Sequence, residues 1–176
     1  ETAIFGKAVA FQLLNRLEDS LSLYNRMLER NPASEEALVN LITIGIALKD
    51  VNIIRAHSEK LLEIRPFSQP ALEGLATCAF TTADYESAAK YCQKLVEYTP
   101  DHFERWFNLG VAYQKLNRLE QALQAYQEAT RIRPDSEQAL VNLGIVRQQL
   151  GDLKGAREAY EIVLRKNPTL SEVRYN

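Results

Sequence analysis

Residues 103–136 read FERWFNLGVAYQKLNRLEQALQAYQEATRIRPDS. Apolar residues return at helical spacing in two runs, first Trp106, Leu109, Ala112 and Tyr113, then Leu119, Ala122, Leu123 and Tyr126. Asn117-Arg118 between the runs is a turn signal. Pro134 has no N–H and disfavours helix in the residue before it, so the second helix should stop there. Gly110 and Ala122 are small enough for two antiparallel helices to approach closely, with the aromatic rings filling the space beside them.

Outward from this stretch, proline recurs at 32, 66, 100, 134 and 168, always 34 residues apart. A fixed period of this length marks a repeat array, in which each unit packs mainly on its neighbours. Counting by 34 gives five units, 1–34, 35–68, 69–102, 103–136 and 137–170, with 171–176 opening a truncated sixth unit or capping helix. Turn signals recur at Asn15-Arg16, Lys49-Asp50, Ala83-Asp84 and Gly151-Asp152, and Ser34, Asp101 and Ser136 are candidate caps for the next helix. The expected fold is all-α, a right-handed solenoid of antiparallel helix pairs.

The fourth unit carries W-x2-L-G-x2-Y in Trp106, Leu109, Gly110 and Tyr113, then Ala122, Tyr126 and Pro134. In this it resembles the tetratricopeptide repeat family, with tyrosine in the phenylalanine place. The fifth unit keeps Leu140, Leu143, Gly144, Ala156, Tyr160 and Pro168, and the third keeps Leu72, Leu75, Ala76, Ala88 and Pro100 with Cys92 in the ring place. The first keeps Ala8, Phe11, Tyr24 and Pro32. The second is loosest, with Ile42 and Ile54 where small residues are usual.

The resemblance implies that the first helix of each unit lines a concave surface. Its sixth place holds Asn40, Asn108 and Asn142, a row similar to the asparagine-bearing superhelix of the O-linked N-acetylglucosamine transferase family, which grips the main chain of an extended peptide. Gly6 and Gly74 interrupt the row. The other groove places bring Phe5, Val9, Gln12 and Leu13, then Glu36, Val39, Thr43 and Ile46, then Glu73, Thr77 and Phe80. The fourth unit adds Glu104, Phe107, Val111, Gln114 and Lys115, and the fifth Gln138, Val141, Ile145, Gln148 and Gln149, so the charges are few. An apolar stripe with amides suits an extended segment bearing aliphatic or aromatic side chains. The lysine, arginine and asparagine clamp with which tetratricopeptide co-chaperones hold acidic tails is absent, since its places read Phe5, Val9, Asn40, Pro70 and Gly74.

Twenty-one basic residues against 23 acidic ones give a net charge of -2, so no strong field draws in nucleic acid or anionic lipid. No apolar run is long enough to span a bilayer. Cys78 and Cys92 are too few for a disulfide framework and fall at core places. His57 and His102 have no ligating neighbour, and Glu35-Glu36 suits a first helical turn. No phosphate loop, nucleophile elbow or metal-ligand cluster occurs, so the sequence points to no enzyme, cofactor or metal. The chain begins at Glu1 without a signal-like segment and reads as a piece of something longer; without a signal or disulfides it leans to the cytoplasm. Its last helix is expected to expose Leu153, Ala156, Tyr160 and Val163, an end through which copies could pair. The function expected is an interaction scaffold holding an extended peptide. The alternatives are a substrate-presenting region of a larger glycosyltransferase- or sulfotransferase-like enzyme, or a self-assembling scaffold.

Overall fold

The computed structural model describes residues 2–166. Pro168 and the restarted repeat text at 171–176 lie outside the described residues. Those described form ten α-helices and no strand: α1 (Thr2–Leu13), α2 (Leu17–Arg30), α3 (Glu35–Leu48), α4 (Val51–Ile64), α5 (Gln69–Thr81), α6 (Tyr85–Tyr98), α7 (Phe103–Lys115), α8 (Leu119–Ile132), α9 (Glu137–Gln149) and α10 (Leu153–Lys166). The fold is an all-α helical repeat. Helices start at 35, 69, 103 and 137, and at 17, 51, 85, 119 and 153, so the period in the sequence is a period in space. The chain divides into two compact units, Glu1–Asp84 with α1–α5 and Tyr85–Asn176 with α6–α10.

One device builds all five turns inside the helix pairs. A single residue adopts the left-handed region: Asn15 (φ 56°), Lys49 (57°), Ala83 (56°), Asn117 (56°) and Gly151 (84°). The next N–H then reaches back five residues: Arg16 to Phe11, Asp50 to Gly45, Asp84 to Ala79, Arg118 to Tyr113 and Asp152 to Arg147, at 2.8–2.9 Å. This closes the orphan carbonyls of the helix end. Only Gly151 meets the requirement without a Cβ penalty, which for other residues is about 1–2 kcal/mol. Lys49→Gly is therefore expected to stabilise the protein by about 0.5 kcal/mol, once the greater freedom of the unfolded glycine is offset. A urea-unfolding midpoint that falls on this substitution would contradict the strain at Lys49.

Two expected caps are present. The Ser34 and Ser136 hydroxyls accept from Ala37 N and Ala139 N, each at 3.4 Å. Asp50 and Asp152 cap too, accepting from Asn52 N and Ile53 N and from Gly155 N respectively. The expectation for Asp101 fails. His102 is the capping residue of α7 and makes no side-chain cap bond, because the helix starts at Phe103. Asp101 stands one residue too early, and its carboxylate meets Arg131 at 3.3 Å instead.

In unit 1, Ala8, Tyr24, Met27, Ala37, Leu41 and Ile44 form one core, and Leu38, Ile42, Ile54, Leu61, Ala71 and Cys78 another. In unit 2, Ala122, Tyr126, Leu143 and Val146 bind α8 to α9, and Phe103, Ala129 and Ala139 lie beside them. Both thiols are buried; Cys78 donates to Val51 O at 3.5 Å, and burial pushes Cys92 up to about 12. Such thiols are poor nucleophiles. The last helix departs from expectation. Ala156, Tyr160 and Val163 are 2%, 8% and 0% exposed, because Leu140, Val141 and Ile145 of α9 pack over them, while Leu153 is 66% exposed.

Candidate functional site

In unit 1 the first helices are α1, α3 and α5. Phe5, Val9 and Leu13 are four residues apart on α1 and share one stripe. Phe5 sets its ring edge-on to Tyr24, with centroids 5.9 Å apart, so it is partly core. Leu13 is 84% exposed and Ile46 of α3 is 43% exposed, while Val9, Val39, Thr77 and Phe80 are partly buried. The polar groups among them turn inward to their own helices. Thr43 donates to Val39 O at 3.0 Å, Thr77 to Glu73 O at 2.8 Å and the Asn40 amide to Glu36 O at 2.8 Å. These groups use their donors on the backbone four residues back, while Glu36 of α3 and Glu73 of α5 stay exposed.

A cleft of about 450 Å³ opens beside Phe5, lined also by Thr2, Met27, Asn31, Ser34 and Glu36. Met27 and Asn31 belong to α2 and its end, and reading first helices alone does not find them. The gap in the asparagine row at Gly74 has a steric cause. A Cβ there would stand 2.3 Å from Ser58 Oγ, 3.0 Å from Ile42 Cγ2 and 3.2 Å from Ile54 Cγ2.

In unit 2 the corresponding residues lie on α7 and α9. Phe107 stacks on Phe103 at 5.8 Å and lies 5.9 Å from the Tyr126 ring, so it packs with the core. Val111, Val141 and Ile145 are partly buried and pack beside the unit 2 cores. Asn108 is exposed. Asn142 donates to the Tyr126 hydroxyl at 3.2 Å, and that hydroxyl donates to Gln114 Oε1 at 2.8 Å. Burial pushes the Tyr126 phenol above its ordinary range, against the opposing pull of Asn142, so it stays protonated and keeps donating. The three asparagines are thus in three situations: Asn40 bonded to its own helix, Asn108 exposed, and Asn142 bonded to the helix before it.

No group of three or more His, Cys, Asp or Glu that could hold a metal occurs among the described residues. His57 Nδ1 lies 2.7 Å from Ile53 O, and Glu35 pairs with Arg65 at 2.8 Å. No described helix is long and apolar enough to cross a membrane.

Three models described as tetratricopeptide repeat match residues 70–102, 103–136 and 138–169. No curated protein sequence matches the chain significantly. Solved structures resemble it closely in fold and distantly in sequence. A MamA crystal structure is 17% identical with a TM-score of 0.86, over 99% of this chain and 96% of that one. MamA 41-end from Desulfovibrio magneticus RS-1 is 19% identical with a TM-score of 0.85, over 97% and 96%. YrrB, described as a TPR protein with an unusual peptide-binding site, is 19% identical with a TM-score of 0.86, over 97% and 88%. With three successive matches to the repeat, and helices spaced at its period beyond them, the chain belongs to the tetratricopeptide repeat family.

Proposed function

We propose that this chain is a non-catalytic protein–protein interaction scaffold of five repeats whose first-helix faces take a peptide segment of a partner protein. The observation that carries this reading is the surface of unit 1. Leu13 stands exposed on the α1 stripe of Phe5 and Val9, and Ile46 on the α3 stripe of Val39 and Thr43, while Thr43, Thr77 and Asn40 are bonded to their own helices. Exposed large apolar side chains that share a face with partly buried ones are the physical mark of a recognition surface. The peptide-binding site named for the YrrB structure supports the same reading by analogy of fold. Unit 2 by itself has amides on its first helices, Asn108 and Gln114 on α7 and Gln148 on α9, together with Val111 on α7 and Val141 and Ile145 on α9.

The test uses the exposed residues of these surfaces. Leu13→Ser with Ile46→Ser removes exposed apolar surface, and Asn108→Ala removes an exposed amide. Peptides selected by the native protein from a random display library are expected to bind the double serine variant at least tenfold more weakly, with the melting temperature unchanged. Undiminished binding to both variants would put the site elsewhere. Phe107→Ala is a poorer probe, because its ring contacts with Phe103 and Tyr126 would be lost as well.

A further inference from the structure

Gln12, Gln114 and Gln148 share the twelfth place of their repeats, and Tyr24, Tyr126 and Tyr160 share the twenty-fourth. In each pair the phenol donates to the glutamine Oε1, at 3.5, 2.8 and 3.4 Å respectively. The remaining repeats have Ser58 and Cys92 at the twenty-fourth place, and there the twelfth place holds Ile46 and Phe80. Within this one chain, the glutamine accompanies the tyrosine.

A phenol has one proton. Once that proton is given to Oε1, the plane of the amide is fixed and its two N–H groups are left to donate elsewhere. At Tyr126 the orientation is locked further, because Asn142 occupies the acceptor side of the same hydroxyl. Gln114 is partly buried and Gln148 exposed, and neither Nε2 has a protein acceptor among the described residues. An uncharged N–H pair satisfies a neutral carbonyl, whereas it brings no counter-charge to offset the desolvation of a carboxylate. A helix keeps all but its last four main-chain carbonyls for itself, whereas an extended segment offers them along its length.

We propose that Gln114 and Gln148, held by Tyr126 and Tyr160, are the donors that grip main-chain carbonyls of an extended segment on the first-helix face of unit 2, and that Asn142 is a positioning residue for Gln114. The proposal rests on the peptide-binding reading above and names its chemistry. It moves the main-chain contact from the asparagine row to the glutamine row.

The probe is a random dodecapeptide display library selected against the native protein, with affinities then measured for the enriched peptides. Gln114→Glu keeps an acceptor for the Tyr126 phenol and replaces the outward donors by a carboxylate oxygen. It is expected to weaken binding about tenfold or more with an unchanged melting temperature, and Asn142→Ala to weaken it less. Tyr126→Phe releases the glutamine and is expected to weaken binding about threefold to tenfold, an effect that a purely structural glutamine would not show. Enriched peptides that bind Gln114→Glu as tightly as native, or that lose more on Asn142→Ala, overturn the proposal and leave the peptide-binding reading standing. If the native protein enriches no peptide, that reading fails and the assignment of Gln114 and Gln148 falls with it.

Discussion

Gly74→Asn, which restores the asparagine row of the first helices, is expected to destabilise the protein by roughly 2–3 kcal/mol. The backbone of α5 passes so close to α4 that a Cβ at residue 74 would lie 2.3 Å from Ser58 Oγ and 3.0 Å from Ile42 Cγ2. Ser58 and Ile42 are 0% and 2% exposed, so neither can swing into solvent to make room. The gain in helix propensity on leaving glycine, at most about 0.5 kcal/mol, is too small to offset the overlap. Urea unfolding of the variant measures the loss. Combining it with Ser58→Gly removes the closest atom and should return part of the stability, since contacting residues couple. A single variant as stable as native would show that α4 and α5 are loosely packed and that Gly74 has no steric role.

Gly74 also marks where the sequence stops being readable. The period of 34 located the helices, and the turn at 49–50 follows from the period although lysine is not a left-handed residue by type. Lys49 and Ala83 take that conformation because the five-residue return bond at each turn requires it, whatever residue stands there. Spacing could not place Asp101, because one residue of offset decides whether a carboxylate caps a helix or meets Arg131. Nor could it place the covering of Ala156, Tyr160 and Val163, which depends on how closely α9 lies over α10. The first-helix residues were legible as positions, but their hydrogen-bond states were not. Nothing in the text separates Asn40, turned back to Glu36 O, from Asn142, donating to Tyr126. The joint occurrence of glutamine at the twelfth place with tyrosine at the twenty-fourth was present in the sequence, and it acquires meaning only when the two side chains are seen to touch.

Tyr126→Ala should have the largest effect, about 4 kcal/mol of destabilisation. The side chain is 0% exposed and lies in a core with Ala122, Leu143 and Val146, its ring beside Phe107. Its hydroxyl also joins Gln114 to Asn142, so truncation leaves a cavity and unpairs two amides. Tyr126→Phe removes only the hydroxyl and should cost about 1 kcal/mol, which separates the ring from its hydrogen bonds. The neighbouring glycine supplies a sharper test. A Cβ at Gly110 would stand 2.6 Å from the Tyr126 ring, so Gly110→Ala in the native protein should cost about 2 kcal/mol through overpacking. In the Tyr126→Ala background the ring is gone, and the same alanine should be neutral or stabilising by up to about 1 kcal/mol, because it favours helix over glycine. A double-mutant cycle by urea unfolding reads this reversal of sign directly. If Gly110→Ala costs the same in both backgrounds, the glycine is not there to admit the tyrosine, and the close approach of α7 and α8 must have another cause.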